Sequence, residues 1–455
     1  MHFYRTTSII PFIVCAILLL SSCTWTTLRP HLIISSVFDL QYAGHLPIES
    51  EAFDQEMHNI TGRYRHTNNQ LLLLKNGDEI FPLLLELITK AKNSIYIDQY
   101  AFHGDDVGIK ISNALKERAD EGVEICITYD YLGSRGTNRS FWEDLEQHNI
   151  KVRPFNPIPW WTVIRANNRD HRKIILIDRE IGLIGDFGIG NHYAGDGKSN
   201  GSWRVSALLI KGPAIKDLEE VFLESWEEAG HALLNKDLPF PLINIILDIP
   251  FSLFSRPQAA AETEPLHSLS LKASGEVRII SSNPNWGSTE IFDALLLAFK
   301  AARKSIYITQ SYFIPNGRVQ DALIDASRRG VEVKIILPQK PDVLLVKSAA
   351  ELSYEELLEG GIRIFERKGT MLHTKTIVID GIWSSIGSCN IDDRSFLLNY
   401  ECNAVVYGRF FGNAMEEMFE EDLVDCEEIA LERWRKRSWW KRLRNKLLIP
   451  FTKQL

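Results

Sequence analysis

An internal repeat constrains the fold of this chain more than any other feature. The segment KNSIYIDQYAF, which starts at Lys92, returns as RKSIYITQSYF from Arg303. EGVEICITYD from Glu121 returns in the same way as RGVEVKIILP from Arg329. In each copy alternating apolar residues predict a strand, an amphipathic helix follows, and a second strand opens at Gly-Val-Glu. A repeat of this length indicates two domains of one fold rather than a short-period solenoid.

Helices and strands that alternate along a chain are typical of α/β architecture. We therefore predict two tandem α/β domains, each with a mixed sheet flanked by helices. Between the repeats, KDLPFPLINIILDIPFSLFSRPQAAAETEP is interrupted by proline and changes from apolar to Ala-rich, as expected of an interdomain connection. The predicted parts are a signal peptide at 1–22, an N-terminal segment at 23–70, a first domain at 71–235, a linker at 236–268, a second domain at 269–428 and a basic C-terminal segment at 429–455.

The first residues predict export and attachment to a membrane. Arg5 precedes an apolar stretch from Ile9 to Leu20, which is short for a membrane span and typical of the core of a signal peptide. The sequence Leu-Ser-Ser-Cys ending at Cys23 resembles the bacterial lipoprotein signal, in which the cysteine is acylated and becomes the new N-terminus. The alternative is an uncleaved signal anchor. Both interpretations predict a protein of the bacterial cell envelope.

The repeat also contains a duplicated His-x-Lys-x-x-x-x-Asp motif. It reads HRKIILID from His171 and HTKTIVID from His373. Because side chains alternate along a strand, His171 and Lys173 share one face, and His373 and Lys375 repeat that geometry. A single copy would be typical of an ordinary surface pair. Two copies at matching places in a repeat predict a functional site.

These motifs resemble the paired HKD motifs of the phospholipase D superfamily. The resemblance of the chain to that superfamily covers nearly all of the sequence after the signal. In that family two domains face each other across a pseudo-twofold axis, and both motifs build one active site. The runs Gly-Ser-Cys-Asn from Gly387, Asp-Arg-Ser from Asp393 and Asn-Tyr-Glu from Asn399 are similar to bacterial cardiolipin synthases in particular. The resemblance implies catalytic roles for six residues: His171, Lys173, Asp178, His373, Lys375 and Asp380.

The resemblance also implies a mechanism. One histidine attacks phosphorus and forms a phosphohistidine, while the other protonates the leaving oxygen and later deprotonates the acceptor. Four side chains would hold the nonbridging oxygens as charge builds up: Lys173, Lys375, Ser388 and Asn390. Glu401 resembles the carboxylate that fixes the tautomer of a motif histidine, and we assign it to His373. Neither a metal nor another cofactor is expected, because two ammonium groups take the place of the cations.

The first motif departs from the family pattern at two positions. Gly188 stands where the family has an oxyanion-binding asparagine, and Val205 stands where it has an aspartate. We expect the change at Val205 to remove the carboxylate partner of His171, and Asp186 to take over that role. The alternative is a weakened or inactive first half. The sequence therefore leaves the nucleophile open between His171 and His373.

Aromatic and basic residues predict contact with a membrane. The C-terminal segment places Trp434, Trp439 and Trp440 among lysines and arginines, which is typical of a helix on an anionic bilayer. The alternative is a solvated tail with one packed tryptophan. Trp160 and Trp161 precede the first motif and predict a lipid-contacting rim at the catalytic mouth, although core tryptophans fit the same pattern.

The function predicted from these features is a metal-independent phosphatidyltransferase of cardiolipin-synthase type, acting on an anionic, phosphatidylglycerol-like phospholipid. A phospholipase D hydrolase would differ only in admitting water to the phosphohistidine. The formal net charge of −8 and the export signal oppose a phosphodiesterase or nuclease, so no nucleic-acid partner is expected. The departures at Gly188 and Val205 support a third alternative, a membrane-binding protein of this family with weakened catalysis.

Overall fold

A computed structural model describes residues 46–157, 167–199, 201–234 and 273–438. Several of the predictions concern residues outside these ranges: the signal peptide, Cys23, the linker at 236–268, Trp160, Trp161, Trp439 and Trp440. Within the described ranges, no helix is both long enough and apolar enough to cross a membrane.

Both repeats form the alternating elements that the sequence predicts. The elements up to residue 234 are α1 (Glu51–Thr61), β1 (His66–Lys75), α2 (Asn76–Lys90), β2 (Ser94–Gln99), α3 (Asp106–Asp120), β3 (Glu124–Asp130), α4 (Arg139–Gln147), β4 (Lys151–Phe155), β5 (Arg169–Asp170), β6 (Lys173–Ile177), β7 (Ile181–Gly185), a 3₁₀ turn (Asn191–Tyr193), β8 (Ser206–Lys211) and α5 (Ile215–Leu234).

The elements from residue 273 onward follow the same plan and add a short C-terminal extension. They are β9 (Ala273–Ser282), a 3₁₀ turn (Pro284–Trp286), α6 (Glu290–Ala301), β10 (Ser305–Gln310), β11 (Phe313–Ile314), α7 (Gly317–Arg328), β12 (Glu332–Pro338), α8 (Leu344–Ala350), α9 (Tyr354–Glu359), β13 (Arg363–Arg367), β14 (Lys375–Ile379), β15 (Trp383–Gly387), β16 (Ile391–Asp392), α10 (Asp393–Leu397), β17 (Asn399–Tyr407), α11 (Arg409–Leu423), β18 (Cys426–Glu428) and α12 (Leu431–Arg435).

Apart from β11 and β16, which pair with each other in a two-stranded sheet, the described strands of both repeats belong to one large mixed sheet. Its order is β18-β13-β12-β10-β14-β15-β17-β9-β1-β8-β7-β6-β2-β3-β4. The two halves have equivalent strand orders: β2 pairs parallel with β3 and antiparallel with β6, as β10 does with β12 and β14. The α/β fold class and the repeat are therefore confirmed.

The two half-sheets join where β1 pairs antiparallel with β9. The sequence predicted a separate sheet for each domain, but pairing at this seam satisfies the backbone groups of two strands that would otherwise be exposed edges. The predicted domain start at residue 71 falls inside β1. The sequence did not reveal the first residues of this strand, because they are polar, from His66 to Asn69, and their pairing is also irregular.

The N-terminal helix of the described chain belongs to the core of the second half. Ser50 caps α1 by accepting a hydrogen bond from the backbone amide of Phe53 at 3.2 Å. Phe53 and Met57 are fully buried and share a core cluster with Leu297 of α6. The chain therefore crosses the sheet seam before it enters β1.

Trp434 also belongs to the core of the second half. Its ring is 7% exposed and stacks on Tyr354 of α9, with ring centroids 4.8 Å apart. Arg435, next to it in α12, forms an ion pair with Glu359 of α9. The interfacial role predicted for Trp434 is therefore wrong, because α12 packs its one tryptophan against the protein.

Candidate active site

The two motifs meet because each crosses to the other half of the molecule. The short strand β5, just before His171, pairs parallel with the start of β17. The backbone amide of His171 donates to the carbonyl of Tyr400 at 2.9 Å, and that of His373 donates to the carbonyl of Arg204 at 2.8 Å. Each histidine is therefore positioned by the opposite repeat, as expected for one shared site.

A buried carboxylate orients His171. Its Nδ1 lies 3.0 Å from both carboxylate oxygens of Glu401, which is inaccessible to solvent. A carboxylate can only accept, so Nδ1 carries the proton and Nε2 keeps its lone pair. The assignment of Glu401 to His373 was therefore wrong: this carboxylate serves the histidine of the other repeat.

A backbone carbonyl orients His373 instead. Its Nδ1 donates to the main-chain oxygen of Asp186 at 2.7 Å. In the register of β7 with β8 and of β15 with β17, Val205 is the equivalent of Glu401. The valine therefore removes the carboxylate that would serve His373, and the prediction that it affects His171 is corrected. The physical reason is the crossing of the motifs between halves, which a comparison within one repeat cannot reveal.

The side chain of Asp186 lies beside the second motif. Its carboxylate accepts from the amide of Ser206 at 2.8 Å and from the amide of Lys375 at 3.1 Å, and the Ser206 hydroxyl donates to it at 2.5 Å. Burial raises the pKa of Asp186, against the opposing effect of the Lys375 ammonium. The prediction that this carboxylate partners His171 is therefore wrong, because Glu401 occupies Nδ1 of His171. The Asp186 carboxylate reaches the second motif at the amide of Lys375, and only the main-chain carbonyl of Asp186 contacts His373.

The second repeat also pairs a hydroxyl with a carboxylate, but from different positions, since Val205 is the equivalent of Glu401 and Ser206 is the equivalent of Cys402. The Ser388 hydroxyl donates to Glu401 at 2.5 Å, where Ser388 is the equivalent of Asp186. This bond occupies the hydroxyl that the sequence assigned to phosphate binding, so we withdraw Ser388 from that role. The side-chain oxygen of Asn390 accepts from Ser311 at 2.8 Å, and contact of Asn390 with the substrate remains a prediction.

We expect Asp186→Asn to lower turnover by ~10²-fold or more, a typical scale for losing an acid–base contribution. The amide would turn a donor toward backbone amides and would remove the negative charge beside Lys375. Adding Val205→Asp should recover part of the loss, since it returns a carboxylate to the position equivalent to Glu401. Ser206→Ala, which keeps the carboxylate, is the matched control and should cost far less. Steady-state kinetics across pH would refute this role if Asp186→Asn keeps wild-type turnover.

Two buried lysines complete the site. Nζ of Lys173 donates to the His171 carbonyl at 2.6 Å, and Nζ of Lys375 donates to the His373 carbonyl at 2.9 Å. Burial, together with repulsion from Lys375, lowers the pKa of Lys173 to about 7, and burial lowers that of Lys375 to about 8. An anion between the two ammonium groups would relieve their repulsion, so the arrangement suits a phosphodiester.

Burial also changes the protonation of the other groups. It lowers the pKa of both His171 and His373 well below the usual value, and the two lysines lower it further. It raises the pKa of Glu401 to about 7, against the attraction of Lys173. Both imidazoles are therefore neutral at neutral pH in the free enzyme, and a neutral imidazole is the nucleophilic form.

Asp178 and Asp380 lie away from the histidines. Each follows a five-residue strand, which places it ~15 Å along the chain from the motif lysine. Asp178 accepts from the backbone amides of Lys92, Asn93 and Ser94, the shortest bond being 2.6 Å. Asp380 binds the equivalent three amides of the second repeat. Their predicted catalytic role is corrected: both carboxylates hold a turn at the far end of the strand, since their acceptor capacity is used there.

An aromatic wall that the sequence did not predict surrounds the histidines. Tyr100 stands edge-on to His171 with centroids 4.9 Å apart, and Trp203 lies 5.2 Å from His373. At Gly188 a Cβ atom would come within 2.6 Å of the Tyr193 ring, so this ring occupies the space of the family's asparagine. The repeat contains a signal for Tyr100. This residue follows Gln99 and aligns with Ser311, which follows Gln310, so the first repeat has a large aromatic side chain where the second has a serine.

The comparisons with known proteins agree with this geometry. The family described as "Cardiolipin synthase, PLD-like domain" matches residues 84–226 and 295–423. Cardiolipin synthase of Listeria innocua is 33% identical over 376 residues, which cover 82% of this chain and 73% of that protein. Cardiolipin synthase 1 of Bacillus cereus is 33% identical over 372 residues, covering 82% of this chain and 70% of that protein.

A solved structure shares the fold. Phosphatidylserine synthase of Haemophilus influenzae superposes with a TM-score of 0.62 at 15% sequence identity, covering 89% of this chain and 99% of that one. The family match and the sequence relatives show that the chain belongs to the cardiolipin synthase family of phospholipase D-like proteins.

Proposed function

We propose that this protein transfers a phosphatidyl group from one phosphatidylglycerol-like lipid to another and forms cardiolipin. The observation that carries the proposal is the pairing of the two motifs across the halves, with the His171–Glu401 pair facing His373 and both lysines. This arrangement supplies a nucleophile, an acid–base group and two cations for one phosphodiester. The names of the relatives supply the substrate class.

The first half-reaction begins at His171. Its Nε2 attacks phosphorus. Glu401 accepts the hydrogen bond from the protonated Nδ1 and stabilises the positive charge that develops on the ring. The bond between phosphorus and the leaving glycerol oxygen breaks, and His373 donates a proton to that oxygen. We therefore assign the nucleophile to His171, because it alone of the two has a carboxylate partner on Nδ1.

His373 must be protonated to act as an acid. In the free enzyme burial and the neighbouring lysines oppose its charge. A bound phosphodiester brings a negative charge between Lys173 and Lys375 and favours the imidazolium form. In the second half-reaction His373 removes the proton from the hydroxyl of the incoming lipid, whose oxygen then displaces His171 from phosphorus.

Analysis of lipid products tests the proposal. Purified protein is incubated with vesicles of phosphatidylglycerol, with and without a chelator, and the lipids are identified by mass spectrometry. We expect cardiolipin and one glycerol from every two phosphatidylglycerols, in equal yield with the chelator. Phosphatidic acid as the main product would identify a hydrolase instead. Loss of activity with the chelator and its return with a divalent cation would contradict the mechanism.

We further propose that acylated Cys23 anchors the protein in the cell envelope, a prediction that rests on the sequence alone. Metabolic labelling with a radioactive fatty acid should mark the wild-type protein. Cys23→Ser should abolish the label and leave the precursor at full length, because the acylation and cleavage site is lost. Label that persists on the serine variant, or a mature N-terminus elsewhere, would contradict this anchor.

A further inference from the structure

We propose that the mouth of the active site docks on an anionic phospholipid bilayer through an apolar rim formed by Tyr131, Val343, Leu345 and Leu397. The inference deepens the proposed function, on which it rests for the chemistry of the surface. It adds the orientation of the protein on the membrane and the residues that enter the interface.

The rim residues are large apolar side chains that folding leaves in water. Their exposed fractions are 44% for Tyr131, 39% for Val343, 52% for Leu345 and 40% for Leu397. Scattered exposed apolar residues need no explanation, but a group around one feature does. These four make up half of the large apolar side chains that are exposed in the described parts of the chain.

Both repeats contribute to the rim from equivalent places. Tyr131 directly follows β3, and Val343 and Leu345 lie in the segment after β12, the strand that matches β3 in the second half. Gln99 pairs with Lys173 on one side and with Tyr129 on the other, and β10 holds Lys375 and the end of β12 in the same way, so both segments leave the sheet at the end that carries the motif lysines.

Local contacts tie the rim segments to the active site. Asp130, next to Tyr131, accepts from the amide of Asp170 at 3.1 Å, and Asp170 immediately precedes His171. Asp342, next to Val343, accepts from the Tyr312 hydroxyl at 2.7 Å, and its charge acts on Lys375 of the site by raising the pKa of that lysine against the effect of burial. Leu397 ends α10, the helix that leads into β17 and Glu401.

Charge favours an anionic bilayer as the occupant. Arg135 is exposed in the segment that carries Tyr131. Lys340 is exposed three residues before Val343, and the carboxylate of Asp342 between them accepts a hydrogen bond from the Tyr312 hydroxyl. An exposed apolar group with a cation in the same segment fits an interface of acyl chains and anionic headgroups. A second copy of the chain on this rim would cover the mouth and exclude the substrate.

Docking explains how a membrane lipid can reach buried groups. His171 and His373 are 9% and 8% exposed, so the phosphate must enter the protein. With the rim in the interface, a lipid can place its headgroup between the lysines while its acyl chains stay in the bilayer. The rim thereby removes the need to extract a whole phospholipid into water.

Hydrogen exchange of the full-length protein tests the orientation directly. We expect residues 131–138 and 340–347 to exchange more slowly with vesicles of phosphatidylglycerol and phosphatidylethanolamine than with no vesicles or with phosphatidylcholine alone. Binding through either chain terminus would not protect these segments. Protection that depends on protein concentration without vesicles would identify a second copy as the occupant and overturn the proposal.

Kinetics of a rim variant give the second test. For Tyr131→Ser/Leu345→Ser, the ratio of turnover on phosphatidylglycerol vesicles to turnover on monomeric dihexanoyl phosphatidylglycerol should fall about 10-fold, as expected for removing two half-exposed apolar groups. Phe410→Ser is the matched control, since Phe410 is 63% exposed but follows the far end of β17, ~20 Å along that strand from Glu401. Its ratio should stay at the wild-type value.

An unchanged ratio in the rim variant, or an equal fall in the control, would overturn the docking proposal. If neither form of the lipid is turned over by the wild-type protein, the proposed function fails, and the exchange of residues 131–138 and 340–347 on vesicles still decides the docking. The two failures are therefore distinguishable.

Discussion

Replacing either motif histidine by alanine is expected to reduce turnover by ~10⁴-fold or more, because neither histidine can take over the other's step. His171→Ala removes the nucleophile, and His373→Ala removes the proton donor to the leaving oxygen. The double variant should lose little beyond either single variant, since residues that act as a unit are not additive. Single-turnover assays with labelled phosphatidylglycerol measure these losses, and His148→Ala, which removes a partly exposed histidine 2.8 Å from Asp120, is the control.

A substrate with a good leaving group separates the two roles. A nitrophenyl phosphodiester needs little help from an acid, so His373→Ala should release a burst of nitrophenol and accumulate phosphohistidine at His171. His171→Ala should give no burst. Mass spectrometry that locates the phosphoryl group on His373 instead would reverse the assignment, and the absence of a phosphohistidine in every variant would refute covalent catalysis.

Glu401→Gln is expected to lower turnover by ~10⁴-fold, the scale seen when a catalytic histidine loses its orienting carboxylate in other enzymes. The amide keeps the shape of the side chain but loses the negative charge that offsets the ring charge on His171. The Ser388 hydroxyl would also lose a charged acceptor. Glu401→Asp, which keeps the charge on a shorter side chain, should retain more activity than Glu401→Gln.

The pH profile distinguishes this role from a merely structural one. Burial raises the pKa of Glu401 to about 7, so kcat/KM of the wild-type enzyme should rise as pH increases toward 7 and the carboxylate forms. Lys173, with a pKa of about 7, loses its charge as pH increases beyond 7, so the profile should be a narrow bell with its maximum near pH 7. Glu401→Gln should abolish the acidic limb and shift the alkaline limb to lower pH, since Lys173 loses an attractive partner. An acidic limb that persists in Glu401→Gln would contradict this role.

The local sequence determined the elements and the place of the chemistry. Period-two alternation in SIYIDQ and SIYITQ predicts β2 and β10, and both form at those residues. The duplicated motif predicts that His171 and Lys173 share one face of their strand, and that His373 and Lys375 do the same in the second repeat. These features depend on residues within a few positions of one another, so a single sequence is sufficient to reveal them.

The sequence also predicted that the Asp186 carboxylate orients His171, and this prediction was wrong. The substitution of a Gly or Ser by Asp and the loss of a carboxylate at Val205 occur in one repeat, which suggested that both concern His171. In the folded protein this repeat orients His373, whose Nδ1 donates to the main-chain carbonyl of Asp186 at 2.7 Å, while the Asp186 carboxylate binds Ser206 and the amide of Lys375.

Only the tertiary structure decided which groups act together. His171 and Glu401 are 230 residues apart, and their contact depends on the β5–β17 pairing and on the seam between β1 and β9. The same holds for Asp178, whose carboxylate resembles a catalytic group in the motif but binds backbone amides 84 to 86 residues away. The residue types and their spacing along strands were sufficient to predict two half-sites, since both are local. Hydrogen bonds between the halves depend on how the strands of the two repeats pair, and the sequence of one repeat carries no record of that pairing.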